Sequence, residues 1–429
     1  MYEKQELKPG DVLDQDYLNS MDSNLDPVSQ HRQSKLCSAF GSHDLRYQNG
    51  ILQVKVEDNW VDIMADHPVY GVSIDLSNSN PETCVTYIDD AVGMIPGTDW
   101  LDKPIFNTIR PCLFKEGKVV GYLNPNNFAQ FEDGTEADIT SGEAGDVMIE
   151  IPKIGYRINK SDNTLTVQIT SDPAKEGFSY LAHTREVEGD RDFLYIGAFL
   201  GSLSGNTLRS LSEIGPLNWT TLTDFRTYAQ ANGSGYDLLA FYPVTLLQCL
   251  YLVMYKDLNS QAALGMGYVG DFDYYYCAKA TGATVRKGMC YGSQDSMEQM
   301  KFLGVEDLWG NLSQWLEGLV TSEVSSLLVA TTAFNDTGSG YTELEHSVPL
   351  QVSGYLSAPL GTNDTGFISE EAEGSSSTHF ADYVYLRAGA APSFGYDFTC
   401  YDLTGAFALY LDQDPAVGDI SIGGRLMYL

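Results

Sequence analysis

The stretch GAFALYLDQDPAVGDISIGGRLMYL, residues 405 to 429, alternates twice over. Phe407, Leu409 and Leu411 share one parity with Ala408 and Tyr410 between them; further on, Ile420, Ile422, Leu426 and Tyr428 also share a parity. A period of two marks a strand buried on one face, because successive side chains of extended backbone point to opposite sides. Chain ends without partners fray, so this pattern predicts a last strand paired inside a sheet.

Composition extends the β reading outward. The chain has 429 residues, 43% of them hydrophobic and 12% aromatic, enough for a sizeable core in two or three domains. Its 41 glycines and 27 tyrosines, with only 19% charged residues, favour short strands and loops over long helices. Lys plus Arg is 25 and Asp plus Glu is 58, a formal net charge of -33. A duplex or an anionic membrane is repelled by such a surface, which excludes nucleic-acid binding. Attachment to an anionic cell surface would have to rest on short-range contacts.

The N-terminal MYEKQELKPGDVLDQDYLNSMDSNLD has no basic segment followed by an apolar one, so it does not read as a secretory signal. LLQCLYLVMY (246 to 255) is too short to span a bilayer and reads as a buried helix. The expectation is a soluble product of a cytoplasm, without membrane insertion. Cys37, Cys84, Cys112, Cys249, Cys277, Cys290 and Cys400 are odd in number and contain no C-x-x-C, against both a disulfide framework and a zinc ribbon.

Two regions emerge along the chain. Residues 1 to about 45 read as a polar arm, with Leu18, Met21 and Leu25 at helical spacing, and RYQNGILQVKVEDNWVDI (46 to 63) as a small β-meander punctuated by Asn49-Gly50 and Asp58-Asn59. Together, residues 1–66 form the expected N-terminal region, and residues 67–429 a larger domain. GDVMIEIPKIGYRI (145 to 158) turns through Ser161-Asp162-Asn163 into TLTVQIT (164 to 170), with Pro152 confining the first strand to an edge or a bulge. FLYIGAFLGSL (193 to 203) reads as another strand. TLTDFRTYAQANG (221 to 233) carries a helix start and stop, and PVTLLQCLYLVMYKDL (243 to 258) is apolar nearly all round, a buried helix. No fixed-period repeat is visible.

An ordered series of motifs resembles a known family. IPKIGYRI (151 to 158), RDFLYIGAFLGSL (191 to 203), YKDLNSQAALG (255 to 265), GVEDLWGNLSQWLEG (304 to 318), GSSSTHFADYVYL (374 to 386) and the terminal LRAGAAPSFGYDFTCYDLTGAFALYL…IGGRLMYL resemble the C-type lectin fold in its formylglycine-generating-enzyme branch. That branch includes the variable proteins of diversity-generating retroelements and bacteriophage tail-tip receptor-binding proteins. The resemblance implies an α+β C-type lectin-like fold: a twisted antiparallel sheet, two helices and long irregular loops, preceded by a small N-terminal β region. It also implies that the last strand returns to the domain's first strands. Arg425 and Arg387 stand where the family has anchoring arginines, although this chain lacks the aromatic and the Trp that usually accompany them.

Between those anchors the resemblance implies a ligand-facing stretch from about Ala390 to Thr404. Read physically, Phe394, Tyr396, Phe398 and Tyr401 offer rigid amphipathic contact area, and Ser393, Asp397, Thr399 and Asp402 offer adaptable hydrogen bonds. With Thr404 and Tyr410 these are the expected ligand-binding residues. The alternative is a structural loop whose rings pack down on the sheet.

Catalytic and metal chemistry finds no support. The family's oxidase holds copper with a pair of cysteines, whereas this terminal region has Cys400 alone. The Trp-Asn-Asp and Glu-Pro-Asn calcium motifs of sugar-binding lectins are missing, Phe334-Asn335-Asp336 being the nearest echo. His31, His43, His67, His183, His346 and His379 form no H-x-H or H-E-x-x-H, and His183 and His379 read as hydrogen-bonded structural residues. Neither a G-x-S-x-G elbow nor a P-loop occurs. No enzyme, cofactor or metal site is expected.

The resulting expectation is a non-enzymatic receptor-binding protein of a bacteriophage tail tip or fibre. Its partners would be a host cell-surface protein or glycan and, through residues 1–66, other virion tail proteins. A homotrimer is expected, since fibres commonly carry threefold symmetry, and diversified positions would fall within about 390 to 412. The rival readings are a structural baseplate or decoration protein, a bacterial surface adhesin, and an oxidase or hydrolase on the same fold.

Overall fold

A computed structural model describes residues 45–48, 51–56, 59–64, 67–185, 188–270, 278–348 and 351–429, with side chains from residue 67 onward. The chain divides into two units, Met1–His67 and Pro68–Leu429. In the first, β1 (Leu45–Gln48), β2 (Ile51–Val56) and β3 (Asn59–Met64) form a three-stranded antiparallel sheet, placed where the sequence alternates. The helical spacing of Leu18, Met21 and Leu25 lies outside the described residues.

The second unit is built on three larger sheets, whose strands are numbered here in chain order. Its first half contributes β4 (Val69–Asp75), β5 (Val85–Asp89), β6 (Arg110–Lys115), β7 (Lys118–Asn124), β8 (Asn127–Phe131), β9 (Asp146–Pro152), β10 (Gly155–Ser161), β11 (Thr164–Thr170) and β12 (Phe193–Gly197). Helix α1 (Leu222–Gln230), β13 (Tyr236–Leu238), α2 (Phe241–Tyr255) and the single turn α3 (Ser260–Ala263) follow. The last third adds β14 (Ser313–Trp315), β15 (Leu319–Thr321), β16 (Ser326–Val329), β17 (Thr342–Ser347), β18 (Gln351–Tyr355), β19 (Tyr383–Arg387), β20 (Ala391–Phe394), β21 (Leu409–Gln413), β22 (Ile422–Gly423) and β23 (Leu426–Tyr428).

These strands assemble as a four-stranded sheet β10-β11-β4-β5, a seven-stranded sheet β13-β23-β12-β9-β6-β7-β8, and a six-stranded sheet β18-β19-β21-β20-β14-β22. The hairpin strands β15, β16 and β17 form a three-stranded sheet of their own. This architecture corrects the α+β C-type lectin expectation. Strand residues are spread over nine sheets among the described residues, and helix is confined to α1, α2 and the turn α3. The physical reason is local: helical periodicity is sustained only between residues 222 and 255, while the rest of the chain is cut into short alternating runs by turn residues.

Helix α2 is the hub. All fifteen of its residues are buried, as an all-round apolar helix requires. It packs on β4 and β11 on one side. On another it meets the six-stranded sheet, where Phe241, Val244 and Gln248 line a small void with Phe394, Phe407 and Leu409. Gln248 donates to the Ala406 carbonyl at 2.9 Å, so its buried amide is satisfied. Pro243 falls within the first turn, where its missing N–H costs no helical bond.

Helix α1 begins at Thr221, whose hydroxyl accepts from the Asp224 N–H at 3.1 Å and donates to the Asp224 carboxylate at 2.9 Å. Such a cap is worth about 1 kcal/mol. Leu222, Phe225 and Ala229 then point inward, joining Trp315 and Ile422 of the six-stranded sheet in one cluster. Arg226 forks onto Glu317, at 2.6 and 3.1 Å, and reaches Asp336 at 2.6 Å, tying the helix to the segment after β14.

Two other expectations change. β9 is an interior strand between β12 and β6, and Pro152 is its last residue, where the ladder ends in any case. The last strand, β23, is paired on both sides, but with β12 and β13 rather than with the first strands of the unit. Arg425, fully buried just before it, donates to Gln314 Oε1 and to the carbonyls of Gly197, Glu306 and Asp307, so its charge is wrapped in oxygen acceptors.

Candidate functional site: a tyrosine face on the six-stranded sheet

Residues that pair directly across a sheet point to the same face. Register therefore sorts the six-stranded sheet into two sets. Val384, Leu386, Leu409, Leu411 and Phe394 face one way, and all are buried in the main core around α2. Facing the other way are Ser353 and Tyr355 of β18, Tyr383 and Tyr385 of β19, Tyr410 of β21, Ser393 of β20 and Trp315 of β14. Helix α1 and the preceding loop cover the Trp315 end, where the indole N–H donates to the Thr220 carbonyl at 3.2 Å. The tyrosine end is half-buried, open to solvent.

Tyr396 joins this open face against its parity. Two residues beyond Phe394, it would follow that ring into the core. Gly395 and Tyr396 instead take φ of 86° and 54°, and this left-handed turn folds the Tyr396 ring back against Tyr383 and Tyr410, with centroids 6.5 and 5.8 Å away. A non-glycine residue in that region costs about 1 kcal/mol, a strain that marks positions where geometry serves a purpose.

Five tyrosines thus form one continuous ring chain. Tyr355 meets Tyr383 edge-on at 5.2 Å, Tyr383 meets Tyr396, Tyr396 meets Tyr410, and Tyr410 stacks on Tyr385 at 5.1 Å with planes 18° apart. Two of their hydroxyls are pinned at the rim. Tyr383 shares a 2.7 Å hydrogen bond with Ser353, and Tyr385 accepts from Gln351 at 3.2 Å. The Asp402 carboxylate of the turn Tyr401–Leu403 lies close enough to the Tyr355 phenol to act on it electrostatically. An Arg387–Asp412 ion pair closes another side.

The electrostatics keep three of these phenols protonated. Burial, then the Asp402 carboxylate, raises the Tyr355 phenol; burial, then Asp412, raises Tyr410; and burial drives Tyr396 far above its ordinary value. The Tyr396 hydroxyl is buried with no partner among the described residues, as are the hydroxyls of Ser393 and Thr404.

The sequence-derived site residues divide accordingly. Asp402 and Tyr410 lie at the open face, with Tyr396, only 7% exposed, and Ser393 beneath it. Phe394 is turned into the main core at 1% exposure, and Phe398, also 1% exposed, stacks on Tyr268 in a separate cluster. Asp397 spends one carboxylate oxygen on the Thr399 N–H and hydroxyl, an Asx turn that fixes both residues. Tyr401 is 45% exposed, and Thr404 is buried. Sequence reasoning missed Tyr355, Tyr383 and Tyr385. The signal was present in YVYL, whose period of two puts both rings on one side.

The remaining candidates serve the fold. Burial, then the Asp397 charge, pushes the Cys400 thiol up to about 12, and the thiol donates to Asp397 Oδ2 at 3.3 Å. Asn335 binds the backbone of its own loop, and Asp336 pairs with Arg226. Among the described residues, no group of three or more His, Cys, Asp or Glu could hold a metal ion, and no helix is long and apolar enough to cross a membrane.

No protein-family model matches the sequence, and no curated protein is significantly similar to it. Among solved structures, the chain is similar to the Major Tropism Determinant U1 variant and the Major Tropism Determinant P3c variant. Both are 12% identical, with TM-scores of 0.27; the alignments cover 90% of this chain and 81% and 80% of those chains. A TM-score at that level does not carry their fold over to this chain.

Proposed function

We propose that this chain is a non-enzymatic receptor-binding protein of a bacteriophage tail, attaching to a host cell-surface ligand through the tyrosine face. One observation carries the binding site: five tyrosines in unbroken ring contact on the open side of a sheet whose other side is locked into the core. Tyrosine supplies large contact area at low entropic cost and a hydroxyl for orientation. The assignment to a phage tail comes from the ordered sequence motifs. In this reading residues 1–66 attach to other tail proteins, the chain works as a homotrimer, and retroelement diversification within 390 to 412 would act at Tyr396, Asp402, Tyr410 and Asp412.

The test is binding of labelled protein to a panel of intact bacterial cells, comparing wild type with Tyr385→Ala/Tyr410→Ala at matched thermal midpoints. Removing this stacked pair of rings should weaken binding by roughly thirtyfold or more. Equal binding by both proteins removes the tyrosine face from the site. Failure of the wild type to bind any cell favours a structural virion protein.

A further inference from the structure

A second concave site shares no residue with the tyrosine face. It is a cavity of about 240 Å³ lined by Lys279, Thr284, Lys287, Tyr291, Glu298 and Gln299, among others. Its floor is rigid. Gln299, 4% exposed, donates to Asp307 Oδ2 at 2.6 Å, and Thr284, 1% exposed, donates to Glu306 Oε2 at 2.6 Å. The buried Lys301 ammonium stands behind this wall, bonded to the Thr284 and Gly288 carbonyls.

Two lysines line the cavity, each held over a tyrosine ring. In a chain of net charge -33, seven of the described lysines and arginines, among them Lys153, Arg209 and Arg226, have a carboxylate within 4 Å, and twelve do not. Lys279 and Lys287 have none among the described residues. Their ammoniums lie instead over the rings of Tyr268 and Tyr291, 4.3 and 4.4 Å from the centroids. The one acid on the rim, Glu298, is engaged by the Tyr291 hydroxyl. A cation held over a ring keeps its charge and is already oriented, but an ammonium has three donors and a ring satisfies them poorly.

We propose that this cavity is a ligand site for a small oxyanion-bearing molecule, a single sugar ring carrying a carboxylate or a phosphate. The anion completes the two lysine donor sets with charge-assisted hydrogen bonds, and the ring sits against Tyr291 and the lysine stems. A cavity below the roughly 300 to 1,000 Å³ of common ligand pockets suits one ring and excludes larger molecules.

The test is calorimetric titration of the full chain with glucuronate, glucose 6-phosphate, glucose and inorganic phosphate, repeated on Lys287→Gln and Lys279→Gln. Saturable binding of glucuronate or glucose 6-phosphate, but not of glucose, supports the site and tells carboxylate from phosphate. Each substitution should then weaken binding roughly tenfold at an unchanged thermal midpoint. Lys287 is exposed, so its variant reads out binding even if Lys279→Gln perturbs the loop that its ammonium anchors at the Met297 carbonyl. The proposal is overturned by no saturation up to about 10 mM, by equal binding of glucose, by inorganic phosphate competing as well as the charged sugars, or by an unaffected Lys287→Gln protein.

Discussion

Replacing His183 by Gln should remove a large part of the protein's sensitivity to acid. His183 closes the short turn Leu181–His183, is fully buried, and accepts the Ile154 N–H at Nε2, 3.3 Å away; Nδ1 has no partner among the described residues. Burial first, then the neighbouring Lys153 charge, holds the imidazole down to about 3, with Asp190 pulling weakly the other way. The unfolded chain takes up the proton near 6.5. Above that pH neither state is charged and the native state has its full stability. Below it the unfolded state binds a proton the folded state refuses, so stability falls steadily until pH reaches about 3. At about 1.36 kcal/mol per pH unit, acidification from pH 7.5 to 4.5 costs roughly 2.7 kcal/mol through this one residue. Urea unfolding of wild type and His183→Gln at both pH values measures it. The constant cost of substitution cancels in the difference between differences, and so do all other titrating groups. A pH-dependent difference below about 0.5 kcal/mol would refute the argument, because the imidazole would then be charging inside the fold.

Three further outcomes follow from the same geometry. Phe398→Leu should cost about 1 kcal/mol in urea unfolding, by loosening the stack on Tyr268, yet leave cell binding unchanged; lost binding at retained stability would place Phe398 in the site. Cys400, with its thiol near 12, should be alkylated by iodoacetamide at pH 8 at least about a hundredfold more slowly in the native protein than in urea, read by peptide mass spectrometry. Labelling at the unfolded rate would show an exposed thiolate. Gly354→Ala places a Cβ 2.2 Å from the Ala372 carbonyl oxygen, so β18 or the backbone around Ala372 must shift. The expected loss is about 1 to 3 kcal/mol by thermal unfolding, and a gain would mean that this backbone is not packed there.

How much of this was legible in the sequence depends on whether a feature is local. ILQVKV and TLTVQIT both alternate and are β2 and β11, and in β11 Leu165, Val167 and Ile169 are the buried face that the alternation encodes. The all-apolar run became the buried α2 with its start displaced by two residues, since Phe241 and Tyr242 also fit a first turn. Sheet membership is not local. β20 finds its neighbours at residues 313–315 and 409–413, and no periodicity within APSF announces either. The fold class failed for that reason: motif order suggested one sheet with two helices, while pairing distributes the strands over several. The placement of the expected site residues turns on one torsion. Phe394 and Tyr396 share a parity, and only the left-handed turn at Gly395–Tyr396 puts their rings on opposite sides of the sheet, Phe394 in the main core and Tyr396 buried against Tyr383 and Tyr410.

The shape of the tyrosine face restricts what it can recognise. Tyr385 and Tyr410 spend their flat faces on each other, and Tyr396 and Tyr383 meet their neighbours edge to face. Tyr396 is itself buried, and what the four half-buried tyrosines leave toward solvent is ring edges and hydroxyls, which hydrogen-bond well and stack poorly. A partner must therefore bring acceptors and donors of its own rather than a flat apolar surface. The same arrangement separates recognition from stability. The rings lie opposite Val384, Leu386, Leu409 and Leu411, which carry the core, so exchanging a ring for another side chain leaves those residues in place. With a net charge of -33 the rest of the surface repels an anionic cell, and attraction begins only where these neutral groups touch. Binding to such a cell should then strengthen as salt is raised, because screening weakens the long-range repulsion and leaves the short contacts intact.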